Sequence, residues 1–291
     1  SLHYNQADTN DNRHTNHTFN LSFVKKFDRP EQQLNIDRAY TMRRGDGNGW
    51  QEQSYLFLPA QYANYYLRES ETDNNGNHAN IQVNYVHPFS ETLRLEAGYE
   101  GQLRHSDQNY RYYMTTYSAP AVLQEHMYDD QSSTHYLYNQ QIHAVYATLG
   151  AKLFEKVSAQ AGLRGEYSTV EGSDENHPTT QRVDKDYWQL YPTLHLSYDI
   201  SKTQSLQLSY SRRVRRPGMW GLNPYLNIRE GQELSFGNPG LDPEFTNAFE
   251  LSYNLGIDKV NIFTSAYYRQ TNNMMTRYGF VWDSTSAAYY S

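Results

Sequence analysis

The sequence predicts an all-β fold, an antiparallel transmembrane β-barrel, and three observations predict it. Period-2 alternation of apolar and polar residues is widespread along the 291-residue chain, and helical periodicity is nearly absent. The connections between alternating stretches come in two kinds, short turns and long polar links, which take turns along the chain. The composition is the third: 28 Tyr in a chain that is only 37% hydrophobic. Tyrosine suits strands and membrane–water interfaces. A barrel tolerates the low hydrophobic content because only alternate residues of each strand face lipid. Composition alone fits a Tyr-rich soluble sheet equally well. No run of about 18 apolar residues occurs, so no transmembrane helix is expected.

Ten strands follow from the alternation, at roughly 17–27, 32–43, 78–87, 92–104, 135–153, 157–169, 187–199, 203–216, 244–255 and 259–270, with 274–291 as room for an eleventh. In the first, Phe19, Leu21 and Phe23 alternate with Asn20 and Ser22. Ile81, Val83 and Tyr85 alternate with amides, and Leu93, Leu95, Ala97 and Tyr99 with Arg94, Glu96, Gly98 and Glu100. Val157, Ala159, Ala161 and Leu163 alternate with Ser158, Gln160, Gly162 and Arg164. Leu194, Leu196 and Tyr198, then Leu206, Leu208 and Tyr210, then Phe249, Leu251 and Tyr253 continue the pattern. Each strand therefore has one apolar face and one wet face.

The short turns are Asp28-Arg29-Pro30-Glu31, His87 to Glu91, Phe154-Glu155-Lys156, Asp199 to Lys202 and Gly256-Ile257-Asp258. The long links are 44–77, 105–134, 170–185 and 217–243. Within the first, Gly45-Asp46-Gly47-Asn48-Gly49 and Asp73-Asn74-Asn75-Gly76-Asn77 read as turn chemistry inside a loop. A soluble sandwich would show turn signals about every 8–12 residues. Here they are spaced much more widely. No linker divides the chain, so 1–291 is read as one β-barrel domain or a fragment of one. The chain starts Ser1-Leu2-His3, which reads as a processed chain or a fragment.

Charge and chemistry exclude several classes. The net charge is −7 and no basic tract occurs, so nucleic acid is not an expected partner. The absence of cysteine excludes disulfides, Cys-ligated zinc and thiol nucleophiles. No Gly-x-Ser-x-Gly elbow, phosphate loop or EF-hand spacing occurs, so no enzyme, cofactor or metal is expected. His14 and His17 fall on opposite faces of a strand and should not share a metal.

One stretch carries a family likeness. It runs Ser205-Leu-Gln-Leu-Ser-Tyr-Ser-Arg-Arg-Val-Arg-Arg-Pro217, then Leu222-Asn223-Pro224, then Gly237-Asn238-Pro239-Gly240-Leu241-Asp242-Pro243-Glu244, then Phe249-Glu250-Leu251-Ser252-Tyr253. Tyr85-Val86-His87-Pro88-Phe89 and Ala161-Gly162-Leu163-Arg164-Gly165-Glu166-Tyr167 add to it. Together they resemble the outer-membrane β-barrel domain of TonB-dependent receptors, in the form common in Bacteroidota-type bacteria. The resemblance implies an outer-membrane location in a Gram-negative bacterium and lipid around the wall. It also implies a plug domain and TonB as partners, admits a surface lipoprotein partner, and implies a barrel of about 22 strands. About half that number is visible, with no plug and no closing strand, so the chain is expected to be the middle of a larger barrel.

Four arginines, Arg212, Arg213, Arg215 and Arg216, stand out near the end of one strand. If Leu206, Leu208 and Tyr210 face lipid, Arg213 and Arg215 face the lumen, and the same alternation turns Glu244 and Glu250 inward. They form either an Arg/Glu ladder that stiffens the wall and meets a plug, or a patch for an anionic ligand. Trp220, Tyr225 and Arg229 in link 217–243 suit ligand capture on an outward loop, or loop packing and an aromatic girdle. Three functions are carried forward. The first is uptake of a small-molecule, peptide or glycan ligand too large or scarce for porins. The second is a non-transport barrel or scaffold subunit. The third is a secreted β-sandwich that binds glycans.

Overall fold

A computed structural model of the chain describes residues 4–55, 65–118, 122–178, 182–224, 227–229, 233–277, 281–283 and 288–290. The strands are β1 (Tyr4–Lys26), β2 (Gln33–Tyr55), β3 (Tyr65–Ser90), β4 (Leu93–Ser118), β5 (Val122–Tyr128), β6 (Thr134–Phe154), β7 (Val157–Asp174), β8 (Val183–Ser201) and β9 (Gln204–Arg215). After a single helical turn, α1 (Met219–Leu222), come β10 (Asn227–Arg229), β11 (Glu233–Ser235), β12 (Glu244–Ile257), β13 (Val260–Asn272), β14 (Val281–Asp283) and β15 (Ala288–Tyr290).

One 11-stranded antiparallel sheet holds β1-β2-β3-β4-β6-β7-β8-β9-β12-β13 in that order, with β5 paired to β4. It is a single continuous sheet, which removes the two-sheet sandwich. All ten expected strands are in it, and the five expected short turns join them. The eleventh strand is β5, inside link 105–134, and not 274–291, where β14 and β15 pair only with each other.

The strands are longer than the alternation indicated. β3 and β4 have 26 residues each, against about 9–11 needed to cross a bilayer. Much of links 44–77, 105–134 and 170–185 is therefore strand. The two glycine- and asparagine-rich stretches are not turns. They lie in β2 and β3 and overlap in the ladder, Gly45 opposite Asn74 and Asp46 opposite Asp73. Strand preference depends on neighbours more than on intrinsic propensity, and here the ladder continues from the segment below. Glycine serves this sheet for a local reason: a Cβ on Gly45 would come within 2.6 Å of His14 Nδ1.

The register sorts the side chains onto two faces. Leu21 (68% exposed), Val145 (59%), Leu163 (51%) and Leu190 (56%) share one face, uncovered by protein. Aromatic pairs border it: Tyr167–Trp188 at 5.1 Å and Tyr210–Phe249 at 4.8 Å toward the long-link end, His87–Phe89 at 4.6 Å toward the short turns. This is the apolar band with its girdles. The opposite face is polar, and there, among the described residues, a core gathers. Tyr136, Tyr138, Val170, Val183, Met219 and Leu222 form a buried cluster with Leu241 against it.

Candidate functional site

That cluster exists because the described ends of segment 216–243, residues 216–224 and 236–243, turn inward. Leu222 and Asn223 donate backbone N–H groups to Gly218 O and Met219 O, closing the turn of α1, and Pro224 ends it. Gly237 N donates to Asn223 O at 2.6 Å and Asn238 N to Gly221 O at 2.8 Å, so the two ends of the segment clasp each other. A Cβ on Gly237 would meet the backbone oxygens of Gly221, Trp220 and Asn223 at 2.5–2.7 Å, so only glycine fits. Met219 and Leu222, 3% and 1% exposed, rest on Tyr136, Tyr138, Val170 and Val183 of the polar wall. Burying each contributes about 1.5–3 kcal/mol.

Charge pins both ends. Arg216 donates from Nη2 to Glu166 Oε2 and, at 3.2 Å, to Ser168 Oγ, and from Nε to Tyr187 OH at 3.0 Å. Glu166 is also held by Arg164 Nε at 2.5 Å, and Arg164 Nη1 reaches Glu100 Oε2 at 2.8 Å. The run Glu100–Arg164–Glu166–Arg216 thus alternates sign from β4 to the residue after β9, and its carboxylates are 19% and 7% exposed. At the other end Lys185 Nζ donates to Leu241 O at 2.7 Å and Asp242 Oδ1 at 3.2 Å. Nearby, at the end of β7, buried Asp174 accepts from His177 at 2.9 Å and raises its pKa above the ordinary imidazole value.

The sequence-derived residues fall in several places. Arg215 and Glu244 are opposite each other across β9 and β12 and form an ion pair at 3.4 Å, but Arg215 is 67% exposed. Arg213 stands opposite Thr246, exposed. Glu250 is opposite Ser209, four residues or about 13 Å farther down the sheet. There it accepts from Ser252 Oγ at 3.1 Å and borders a recess near the short turns. Trp220 is brought inward, not outward, its ring edge-to-face with Tyr110 of β4 at 6.2 Å. Tyr225 lies outside the described residues, and Arg229 is described by its backbone alone, in β10.

An Arg/Glu network exists, but around Arg164, Glu166, Glu100 and Arg216. The signal was present: Arg164 and Glu166 alternate with Leu163 and Tyr167. Alternation missed Arg216 because that residue follows the strand's end, where the face rule no longer applies. Among the described residues no group of three His, Cys, Asp or Glu side chains could hold a metal.

The polar wall, the outward apolar band and the inward segment describe a barrel wall from a membrane. A family model for the outer membrane protein beta-barrel family matches residues 25–291. The chain belongs to that family. This outer membrane protein beta-barrel family member is therefore a protein of the Gram-negative cell outer membrane. No curated protein matches it in sequence.

Several solved structures have a similar shape in part. The ferric yersiniabactin uptake receptor FyuA from Yersinia pestis is 14% identical with a TM-score of 0.47, over 84% of this chain and 37% of that one. The siderophore receptor PiuA from Acinetobacter baumannii is 12% identical with a TM-score of 0.45, over 81% and 40%. The hemophore receptor HasR of Serratia marcescens, in complex with its hemophore HasA and heme, is 12% identical with a TM-score of 0.41, over 88% and 45%. The chain spans less than half the length of each. The family match, not these likenesses, carries the assignment.

Proposed function

We propose that this family member forms part of the wall of a TonB-dependent outer-membrane receptor that imports a ligand too large or too scarce for porins. One observation carries the reading. Among the described residues the sheet has ten strands along its path and is not closed; β1 and β13 each have a neighbour on one side only. An unpaired strand edge cannot stay in hydrocarbon, so the intact barrel has more strands, and barrel diameter grows with strand number. A lumen that wide admits a plug domain and a bulky ligand. The polar inward face and segment 216–243 on it support the same reading.

In that receptor the ligand enters from the long-link end, where the strands rise above the apolar band. A plug gates the lumen, and TonB supplies the energy to move it. The wall binds and guides without covalent chemistry. A strain deleted for the gene should lose growth on at least one nutrient class at limiting concentration, and a strain deleted for TonB should show the same loss. Equal growth of the deletion and parent strains across limiting carbon, nitrogen, iron and vitamin sources would point to a non-transport scaffold instead.

A further inference from the structure

The lumenal wall holds a second cluster, away from the Glu100–Arg164–Glu166–Arg216 run. His78 of β3 stands directly opposite Arg104 of β4, and Arg43 of β2 stands opposite Gly76, two residues along from His78. All three side chains are exposed on the polar face. They border one recess of about 360 Å³, together with the amides of Gln102 and Gln140. Gly76 lies between the arginines and leaves the floor open; a Cβ there would touch nothing closer than 3.6 Å.

Among the described residues no carboxylate forms an ion pair with these arginines. The arginine–carboxylate pairs of the described residues lie elsewhere: Arg94 with Glu96, Arg111 with Glu71 and Asp73, Arg164 with Glu100 and Glu166, Arg215 with Glu244, and Arg216 with Glu166. The nearest acid on this face of β4, Glu100, is occupied by Arg164 and by Gln102 Nε2 at 2.6 Å. Arg43 and Arg104 are like charges on β2 and β4, on either side of β3, and repel each other. Two arginines around an open floor, with the amide of Gln140 beside them, are arranged for an anion, which each guanidinium can grip with paired N–H groups.

The cluster also sits at the right height. On the opposite face at this level Leu103 gives way to His105, bonded to Asn139 at 2.7 Å, so the recess lies at the outer rim of the apolar band. Arg104 stacks 5.9 Å from the ring of Tyr138, the same ring that segment 216–243 covers. The recess thus adjoins the inward segment and opens to the lumen.

We infer that Arg43, Arg104 and His78 form an anion-binding subsite in the lumen that takes a phosphate or carboxylate group of a ligand. The inference does not depend on import. Calorimetric titration of the full-length protein in neutral detergent at low salt, with inorganic phosphate as probe, tests it. Saturable binding should weaken at least tenfold in Arg104→Gln and in Arg43→Gln, hold within about threefold in Arg104→Lys, and stay unchanged in Arg94→Gln. The unheated electrophoretic mobility of each barrel reports folding. No saturable binding to the parent protein, or equal affinity in the Arg43→Gln/Arg104→Gln double variant, overturns the inference. Equal growth of the deletion and parent strains, with phosphate binding intact, would strike the import reading and leave the subsite standing.

Discussion

Glu166 accepts from two guanidiniums at once and is 7% exposed at its side chain. Removing one member of a buried charge pair leaves the others without compensation, at a cost of about 3–5 kcal/mol. Glu166→Gln should therefore destabilise the barrel by about 3 kcal/mol, read as a lowered urea midpoint in detergent. Arg215→Ala, at a pair with one partner 67% exposed, should change it by less than about 1 kcal/mol. Equal effects would show that the inner run is no more buried than the rim pair. The sequence made Arg213, Arg215, Glu244 and Glu250 candidates by face alone. Face is a two-valued property, and all four have the inward value. What separates Arg215 from Arg216 is depth and reach, which depend on strands far away in the chain.

Segment 216–243 is the element that best shows why its motif has those residues. Pro217 and Pro224 flank α1, Gly237 passes between three backbone oxygens, and Asn238 Oδ1 accepts from Gly240 N at 2.8 Å to hold the return. Gly237→Ala should spring the clasp. Limited trypsin digestion should then cut within 216–243 at least tenfold faster, while the unheated mobility of the barrel is unchanged. Unaltered cleavage would show that the clasp is not what holds the segment inward. The motif was legible in the sequence, but its direction was not. An outward loop and an inward one need the same turn residues. The wall decided between them, because Tyr136, Tyr138, Val170 and Val183 offer Met219 and Leu222 an apolar seat.

For the whole molecule the test is which face meets lipid. Leu149 is 45% exposed in the middle of the apolar band, opposite Leu95 and Ala161. Leu149→Arg should cost about 2–4 kcal/mol of folding free energy in lipid vesicles. Gln207→Lys, an exposed lumenal position, should stay within about 0.5 kcal/mol. Reversed sensitivities would turn the sheet inside out. By itself the sequence determined the all-β class, the ten strands of the wall, the five short turns and which side chains share a face, because period 2 and turn chemistry are local. Only the tertiary structure decided how far the strands run, where segment 216–243 goes and which charges pair. Those outcomes rest on contacts between strands distant in the chain: the ladder that makes strands of Gly45 to Gly49 and Asp73 to Asn77, and the curved wall that brings Arg216 to Glu166.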